Sequence, residues 1–279
     1  MEHSKAKPAS RHGGPSAEGG AGPRLSSSPA MVWFIGAGPG DPELITVKGR
    51  RLISEADLVL YAGSLVPVEV VSCARPGAKV VDSAPLTLEE THALMRDAVL
   101  AGGMAARVHT GDPMFYGATR EQMALLERDG IAFAVVPGVS AAFAAASAAK
   151  VSLTVPEQVQ SLVLTRLDGR TPVPDGQNVS DYVRHGASLA VYLSAGAPGL
   201  LAEELRLGGA DEDMPVLLAH RVGWPDEKLV WTTLAGLEAT VREQGFARQT
   251  VFLILPGEKQ RQSPASRLYA REFKHGYRQ

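Results

Sequence analysis

The sequence contains a single cysteine, Cys73, among 279 residues. An intramolecular disulfide needs two cysteines and a thiolate metal cluster needs more, so both are excluded. This cysteine usage is typical of a reducing compartment, and we expect a cytoplasmic location. The longest apolar stretches, such as residues 250–256, are far shorter than the roughly 20 residues that a membrane-spanning helix requires. The sequence therefore predicts no transmembrane helix and no membrane partner.

An excess of charge of one sign is also lacking. Lysine and arginine together number 28 against 30 aspartates and glutamates, so the formal net charge is −2. No long basic run is present, which gives no support for a nucleic-acid partner. Residues 1–30 are rich in Gly, Ser, Pro and Ala and lack the apolar centre of a secretory signal. We expect them to form a disordered N-terminal extension.

What is present is a chain long enough for two domains, since one domain usually takes about 100–200 residues. Hydrophobic residues make up 45% and charged residues 21%, the balance of a globular protein. In the first half, apolar runs suited to buried strands alternate with helical patterns, which predicts a mainly parallel sheet with helices on its faces. Thr87 and Glu90 form a capping box at the start of one of these helices. Strands are predicted at 31–37, 57–62, 105–109 and 132–137, and helices at 46–56, 87–102 and 117–129 and after Gly138.

The pattern changes near residues 151–157, where a short link containing Thr and Pro leads into a new series of strands. We place the domain boundary there. The predicted organisation is an N-terminal α/β domain at 31–153 and a C-terminal α/β domain at 154–279. Strands of the second domain are predicted at 161–166, 188–193, 215–222 and 249–255.

The first predicted strand ends in a glycine-rich loop, Gly-Ala-Gly-Pro-Gly-Asp at 36–41. It resembles a dinucleotide-binding fingerprint, but Asp41 stands where a third glycine is required and Pro39 removes a backbone donor. The next strand ends in Tyr61-Ala62 and lacks the acidic residue that would hold a ribose. These departures disfavour NAD. A purely structural turn remains the alternative for this loop.

Two further glycine loops, at 110–117 and 137–142, also follow predicted strands. Gly111 permits close approach of a ligand to the backbone, while Asp112 and Ser140 are placed either to bind a ligand or to cap the following helix. Helix capping explains each loop taken alone. Because ligands bind at the carboxyl edge of parallel sheets, three such loops together predict a cleft.

Four segments in this order resemble the tetrapyrrole methylase superfamily: Gly-Ala-Gly-Pro-Gly-Asp-Pro-Glu-Leu-Ile-Thr at 36–46, Tyr-Ala-Gly-Ser-Leu-Val at 61–66, His-Thr-Gly-Asp-Pro-Met-Phe-Tyr-Gly-Ala at 109–118 and Pro-Gly-Val-Ser-Ala-Ala at 137–142. Two more resemble its precorrin-4 C-11 methyltransferase family: Leu-Thr-Arg-Leu-Asp-Gly-Arg-Thr-Pro-Val-Pro at 164–174 and Phe-Lys-His-Gly-Tyr-Arg at 273–278. The resemblance runs from about Met31 to the C-terminus. Met114 departs from it, since a smaller residue is expected there.

The resemblance implies an S-adenosylmethionine-dependent methyltransferase with two α/β domains, the active-site cleft between them and a homodimeric assembly. The implied reaction is methylation of C-11 of precorrin-4 or cobalt-precorrin-4 on the route to cobalamin, with S-adenosylhomocysteine as product. Carried over position by position, the implied cofactor contacts are Pro39, Thr110, Gly111, Asp112, Phe115, Ser140, Ala141, Leu193, Val216 and Thr250.

Tetrapyrrole intermediates of this kind carry many carboxylates, which guanidinium groups bind through paired hydrogen bonds. The candidate anchors are Arg120, Arg166, Arg170 and Arg221, with ordinary solvated arginines as the alternative.

Other titratable residues are less informative. Asp41 and Glu121 are candidate general bases, with loop or helix-surface carboxylates as the alternative reading, so the base is not identified. His109 and His220 lack a neighbouring His or Cys at metal-site spacing, and no metal is predicted.

Two alternative functions remain. A sister methylase would act on another ring carbon or an earlier tetrapyrrole, and a non-catalytic module would bind the cofactor or tetrapyrrole without turnover; the fold does not separate these. The Thr-Arg-x-x-Gly-Arg-Thr-Pro stretch at 165–172 disfavours the first, and the loop around Asp112 disfavours the second. The sequence does not indicate whether the substrate contains cobalt.

Overall fold

The structure, a computed structural model, describes residues 29–169, 171–259, 274 and 276. Expectations for residues 1–28, for Arg170 and for most of the motif at 273–278 therefore lie outside the described residues. The described part contains two sheets of five strands each, with helices between the strands. The predicted α/β class is confirmed. No helix in this part of the chain is long and apolar enough to cross a membrane.

The first sheet is entirely parallel and has the strand order β3-β2-β4-β1-β5. Its central strands are buried on both faces, which explains their uninterrupted apolar sequences. Its strands are β1 (Val32–Gly36), β2 (Leu58–Tyr61), β3 (Lys79–Asp82), β4 (Ala105–His109) and β5 (Phe133–Val136), and its helices are α1 (Val47–Glu55), α2 (Val68–Val71), α3 (Leu88–Leu100) and α4 (Thr119–Arg128).

Side-chain caps fix where two of these helices begin. The Thr46 hydroxyl accepts a hydrogen bond from the Gly49 amide at 3.0 Å at the start of α1. At α3 both bonds of the predicted capping box are present, since the Glu90 amide donates to the Thr87 hydroxyl and the Thr87 amide to the Glu90 carboxylate. Local sequence therefore sets these helix starts.

The second sheet is mixed and has the order β6-β7-β10-β8-β9. Only β6 and β7 pair in parallel, and the remaining neighbours are antiparallel. Four of its strands follow the predicted positions, whereas β9 was not predicted. The strands are β6 (Leu162–Arg166), β7 (Ser188–Tyr192), β8 (Pro215–His220), β9 (Lys228–Thr233) and β10 (Thr250–Ile254), and the helices are α6 (Val179–Val183), α7 (Pro198–Leu207) and α8 (Leu237–Gln244).

The alanine-rich helix α5 (Ala141–Ala149) follows the last strand of the first sheet but packs against the second. Ala142 and Ala145 are fully buried beside Leu217 and Leu253 of the second sheet. Side chains this small let the helix backbone lie close to the strands. The start of α5 therefore stands where the two sheets meet.

Candidate active site

Three glycines bring the loops after β1, β4 and β5 into direct backbone contact. A Cβ atom on Gly138 would lie 2.0 Å from the Gly111 carbonyl oxygen and 2.7 Å from Gly36 Cα. Gly111 and Gly38 also exchange two backbone hydrogen bonds, of 2.7 and 3.3 Å. No side chain fits between these loops. The predicted convergence of the glycine loops at one sheet edge is confirmed.

The carboxylate of Asp112 ties two of the loops together. One oxygen accepts from the Gly138 amide at 3.0 Å, and the other accepts from the Met114 amide at 2.8 Å. Asp112 therefore does not cap the following helix, one of the two roles that the sequence left open. Its hydrogen bonds hold the edge on which the second and third loops meet.

A cavity of about 410 Å³ lies between this edge and the second sheet. This volume is within the usual range of small-molecule sites. Most of the predicted cofactor contacts line its wall, namely Pro39, Thr110, Gly111, Asp112, Phe115, Ser140, Ala141, Leu193 and Thr250.

Val216, the remaining predicted contact, lies elsewhere. It is fully buried in the core between the second sheet and its helices, packed with residues such as Leu201 and Leu218. Successive residues of a strand face opposite sides of a sheet, and Val216 points to the helix-covered side. We therefore remove it from the candidate contacts.

Tyr192, at the end of β7, joins the second sheet to the third glycine loop. Its hydroxyl lies 2.6 Å from the Ser140 hydroxyl and accepts from the Ala142 amide at 2.9 Å. The tyrosine thus satisfies an amide in the first turn of α5, the role that the sequence offered for Ser140. Burial raises the pKa of Tyr192, and its hydrogen bonds with Ser140 and Ala142 oppose that rise.

Two further aromatic rings stand beside Tyr192. The ring centres of Phe115 and Tyr116 lie 5.0 and 6.0 Å from that of Tyr192, and all three residues line the cavity. Sequence reasoning missed Tyr116 and Tyr192, although both are neighbours of predicted contacts. Together the rings make one wall of the cavity apolar.

Among the predicted substrate anchors that the structure describes, only Arg221 lines the cavity. Its guanidinium stacks on the Trp224 ring at 4.1 Å and donates to Asp226 at 2.6 Å and to the Gln249 side chain at 2.7 Å. The sequence offered Arg221 as a group free to bind a carboxylate. Its Nε and one terminal nitrogen instead already have protein partners.

Trp224 and Gln249 carry these contacts across to the first half of the chain. The Trp224 indole N–H donates to the Pro39 carbonyl at 3.2 Å. The side-chain NH₂ group of Gln249 donates to the Ser64 carbonyl at 3.1 Å. We call Arg221, Trp224 and Gln249 the clasp. Sequence reasoning missed Trp224 and Gln249. The only sequence signal was an isolated tryptophan in a polar loop.

The other described arginine anchors lie off the cavity wall. The Arg166 guanidinium donates to the carbonyls of Leu167, Thr171 and Pro172 at 2.9–3.0 Å, so it holds the segment that follows β6. Arg166 is the register partner of Tyr192, which places it near the aromatic wall. Arg120 is exposed on α4. Arg170 lies outside the described residues.

The candidate bases and the two histidines do not line the cavity either. Asp41 caps a short 3₁₀ turn by accepting from the Glu43 amide at 2.8 Å, and Glu121 is exposed on α4. Burial, with a smaller contribution from Arg107, lowers the pKa of His109 to about 3. His220 lies 3.0 Å from the Thr250 hydroxyl and stacks on Phe246.

Metal ligands would have to come from His, Cys, Asp or Glu side chains. Within residues 29–169 and 171–259, no three of these lie close enough together to hold an ion. The cleft is instead built from backbone, aromatic rings and the clasp.

Many known proteins are similar to this chain in sequence and in fold. The sequence pattern of the tetrapyrrole (corrin/porphyrin) methylases matches residues 31–238. The chain belongs to this family.

Individual relatives refine the comparison. The chain is 44% identical to a cobalt-precorrin-4 C(11)-methyltransferase of Priestia megaterium, over 88% of this chain and 97% of that protein. It is 42% identical to a precorrin-4 C(11)-methyltransferase of Pseudomonas aeruginosa, over 88% and 98%. The X-ray structure of a cobalt precorrin-4 methyltransferase superposes with a TM-score of 0.79 at 44% identity, covering 85% of this chain and 98% of that one.

A more distant solved structure carries a ligand. It is a uroporphyrin-III C-methyltransferase from Thermus thermophilus in complex with S-adenosylhomocysteine, with a TM-score of 0.65 and 30% identity. The match covers 81% of this chain and 92% of that one.

Proposed function

We propose that this protein transfers a methyl group from S-adenosylmethionine to C-11 of precorrin-4 or cobalt-precorrin-4, a step of cobalamin biosynthesis. The observation that carries the proposal is the match, over nearly the whole length of each relative, to proteins named for this reaction. Relatives of both names match at 39–44% identity. Substrates with and without cobalt therefore both remain within the proposal.

The glycine-edged cavity suits an adenosyl cofactor. Gly36 and Gly138 leave no room for a Cβ atom at this edge, and Gly111 has a φ of 60° that side chains rarely adopt. Backbone groups exposed there can hydrogen-bond a nucleoside without a charged partner. We propose that the nine predicted contacts on the cavity wall bind S-adenosylmethionine and, after the reaction, S-adenosylhomocysteine. Bound S-adenosylmethionine supplies an electrophilic methyl group on sulfur.

The chain contributes mainly by positioning the reactants. Methyl transfer requires the accepting carbon to be in line with the sulfur–methyl bond, and holding two reactants in that geometry lowers the barrier substantially. The hydrogen-bonded glycine loops and Tyr192 form a rigid wall for this purpose. We propose no residue as general base, because Asp41 and Glu121 do not line the cavity.

The carboxylates of the tetrapyrrole require cationic groups near the cleft. We propose Arg166 as an anchor because it lies beside Tyr192 in register and its charge lowers the pKa of Tyr116 against the stronger raising effect of burial. We also keep Arg120 and Arg170 as proposed anchors, on the sequence grounds given above. For Arg221, membership of the clasp is the role that its contacts support.

Two proposals concern organisation. We propose that 31–153 and 154–279 act as the two domains whose junction forms the cleft. We also propose a homodimer, on the basis of the family resemblance alone.

The test is incubation of the purified protein with S-adenosylmethionine and, separately, each tetrapyrrole intermediate, followed by mass spectrometry and NMR assignment of the new methyl group. Methylation of precorrin-4 or its cobalt complex at C-11 is expected. A methyl at another carbon would establish a sister methylase. Binding of both ligands without transfer would establish a non-catalytic module.

A further inference from the structure

A buried arginine lies beneath the edge of the first sheet, away from the cavity wall. Arg107 stands in the middle of β4 and is 7% exposed. Its two hydrogen-bond partners are neutral: Nε donates to the Gln122 side-chain oxygen at 2.9 Å and one terminal nitrogen donates to the Ser83 hydroxyl at 2.8 Å. Burial lowers its pKa to about 10, so the group stays charged near neutral pH. An uncompensated buried cation is costly, which calls for a reason beyond packing.

One side of this arrangement leads to the ends of two neighbouring strands. Ser83 directly follows β3, and its hydroxyl also donates to the carbonyl of Tyr61, the last residue of β2, at 3.1 Å. Since β2 lies between β3 and β4 in the sheet, the guanidinium links the middle of β4 to the ends of β2 and β3. These hydrogen bonds hold the Arg107 guanidinium in place on this side.

The other side leads to the loop that carries the aromatic wall. The Gln122 side chain accepts from Arg107 through its oxygen, which directs its NH₂ group to the Ala118 carbonyl at 3.0 Å. Ala118 ends the segment 113–118, which contains both Phe115 and Tyr116. The side chain of Gln122 is therefore the link between the buried cation and the cavity wall.

The segment 113–118 needs such a link because its backbone is strained. Tyr116 has φ of 55° and Ala118 has φ of 47°, left-handed conformations that residues with a side chain rarely adopt. Strain of this kind persists only where surrounding contacts fix it. At its start the Met114 and Phe115 amides donate to Asp112. At its end the contacts are the Gln122–Ala118 bond and a bond from the Thr119 hydroxyl to the Pro113 carbonyl at 3.1 Å. A hydrogen bond from a charged donor is stronger than a neutral one, so Arg107 fixes the Gln122 amide more firmly than a neutral residue would.

We propose that Arg107 is a positioning residue, which acts through Gln122 to hold the strained 113–118 segment, and with it Phe115 and Tyr116, in the conformation that binds the adenosyl cofactor. The cofactor part rests on the function proposed above. The mechanical part, from Arg107 to the loop backbone, does not.

The decisive variant is Gln122→Glu. It keeps an oxygen acceptor for Arg107, and forms an ion pair with it, but removes the NH₂ donor to Ala118. If Gln122 serves only stability, the protein should tolerate this change. If Gln122 holds the loop, the loop should become more mobile. Arg107→Met and Arg107→Lys complete the series, since lysine restores charge but not the forked geometry. Glu127→Gln, at an exposed position on the same helix, is the matched control.

Two measurements read the series: hydrogen–deuterium exchange of the peptide covering 113–118, and the calorimetric Kd of S-adenosylhomocysteine. In Gln122→Glu we expect a near wild-type Tm, faster exchange in this segment and a Kd raised about tenfold, the size expected for one lost hydrogen bond. Glu127→Gln should match wild type. Arg107→Lys should lie between wild type and Arg107→Met.

Exchange in 113–118 that is unchanged in Gln122→Glu would overturn the proposal even if Arg107→Met does not fold. Wild-type exchange in Arg107→Lys would overturn the part played by Arg107. Faster exchange with an unchanged Kd would overturn the cofactor part and keep the mechanical one. If wild type itself does not bind S-adenosylhomocysteine, the proposed function fails, while the exchange result still decides the link from Arg107 to the loop.

Discussion

At the scale of single residues, one hydroxyl group joins the two halves of the cleft. Tyr192 accepts from the Ala142 amide and contacts the Ser140 hydroxyl, and Ala142 is fully buried. A buried amide that loses its acceptor costs about 1–3 kcal/mol. The hydroxyl therefore affects both the stability of the start of α5 and the shape of the cavity.

We expect Tyr192→Phe to lower the unfolding free energy by about 1–2 kcal/mol, because Ala142 loses its acceptor. Affinity for S-adenosylhomocysteine should fall with it. Ser140→Ala, which leaves the Tyr192–Ala142 bond in place, should be milder. Urea unfolding and calorimetric titration of the two variants check this, and equal stability losses would contradict it.

A second residue-scale prediction concerns pH. His109 is 5% exposed, its Nε2 has no partner among the described residues, and burial lowers its pKa to about 3. Between about pH 6.5 and 3 the unfolded chain binds a proton at this site that the folded chain does not. Stability therefore falls as the pH is lowered through this window, by up to about 1.4 kcal/mol per pH unit from this residue.

His109→Leu should flatten that dependence, because leucine cannot take up a proton in either state. The comparison is best made between pH 6.5 and 4, since the pKa of Asp129, lowered to about 2 by its hydrogen bonds with Arg128 and His92, adds a second loss of stability below its unfolded value near 3.8. Replacement of the exposed His185 by Gln is the control. Parallel stability curves for wild type and His109→Leu would contradict the assignment.

At the scale of elements, the carboxyl edge of the first sheet depends on close contact between three loops. Gly138 leaves no room for a Cβ atom next to Gly111 and Gly36. We expect Gly138→Ala to force the loops apart, to destabilise the fold by about 1–3 kcal/mol, as overpacked sites do, and to abolish measurable binding of S-adenosylhomocysteine. Gly196→Ala, where a Cβ atom meets open space, should change neither quantity. Thermal unfolding and calorimetry check both, and wild-type affinity in Gly138→Ala would refute it.

The helices, strands and loops also show what can be predicted from sequence and what cannot. The buried strands of the first sheet, the capping box at Thr87 and the convergence of the glycine loops follow from local patterns, because burial on both faces and capping leave direct marks on sequence. The strands β3 and β9 were missed. Both lie at a sheet edge, and their partly exposed segments, Lys79–Asp82 and Lys228–Thr233, contain no long apolar run.

Contacts between distant segments account for the remaining differences. Arg221 looked free because Gln249, with which it pairs, is 28 residues away. The clasp bonds to Pro39 and Ser64 each span 185 residues. No local pattern encodes such partners. For Val216, the strand itself was predicted, but which of its faces points to the cavity depends on how the second sheet packs.

At the scale of the whole molecule, ligand binding should report on the fold as a unit. A ligand that binds only the native state stabilises it by about 2.7 kcal/mol at 100 times its Kd. We expect S-adenosylhomocysteine to raise Tm in proportion to the logarithm of its concentration, and NAD to leave Tm unchanged. A thermal-shift titration with both ligands checks this. A shift with NAD alone would favour the dinucleotide interpretation of the loop at 36–41.

The clasp offers the sharpest test at this scale, because its two outward bonds connect the halves of the chain. Trp224→Phe keeps an aromatic ring beneath Arg221 and removes the N–H that donates to Pro39. Gln249→Glu removes the donor to Ser64 and keeps an oxygen acceptor for Arg221. Each bond is worth about 0.5–1.5 kcal/mol. If both walls must be held together to bind the cofactor, the double variant should bind S-adenosylhomocysteine at least about tenfold more weakly.

The control for the clasp is Arg242→Gln, which breaks an exposed ion pair with Glu238 on α8, a kind of contact that contributes little to stability. It should bind as wild type does. Calorimetric titration of the single, double and control variants, with Tm measured in parallel, separates loss of the clasp from general instability. A double variant with wild-type affinity would mean that the glycine loops and the aromatic wall define the cavity without help from the clasp.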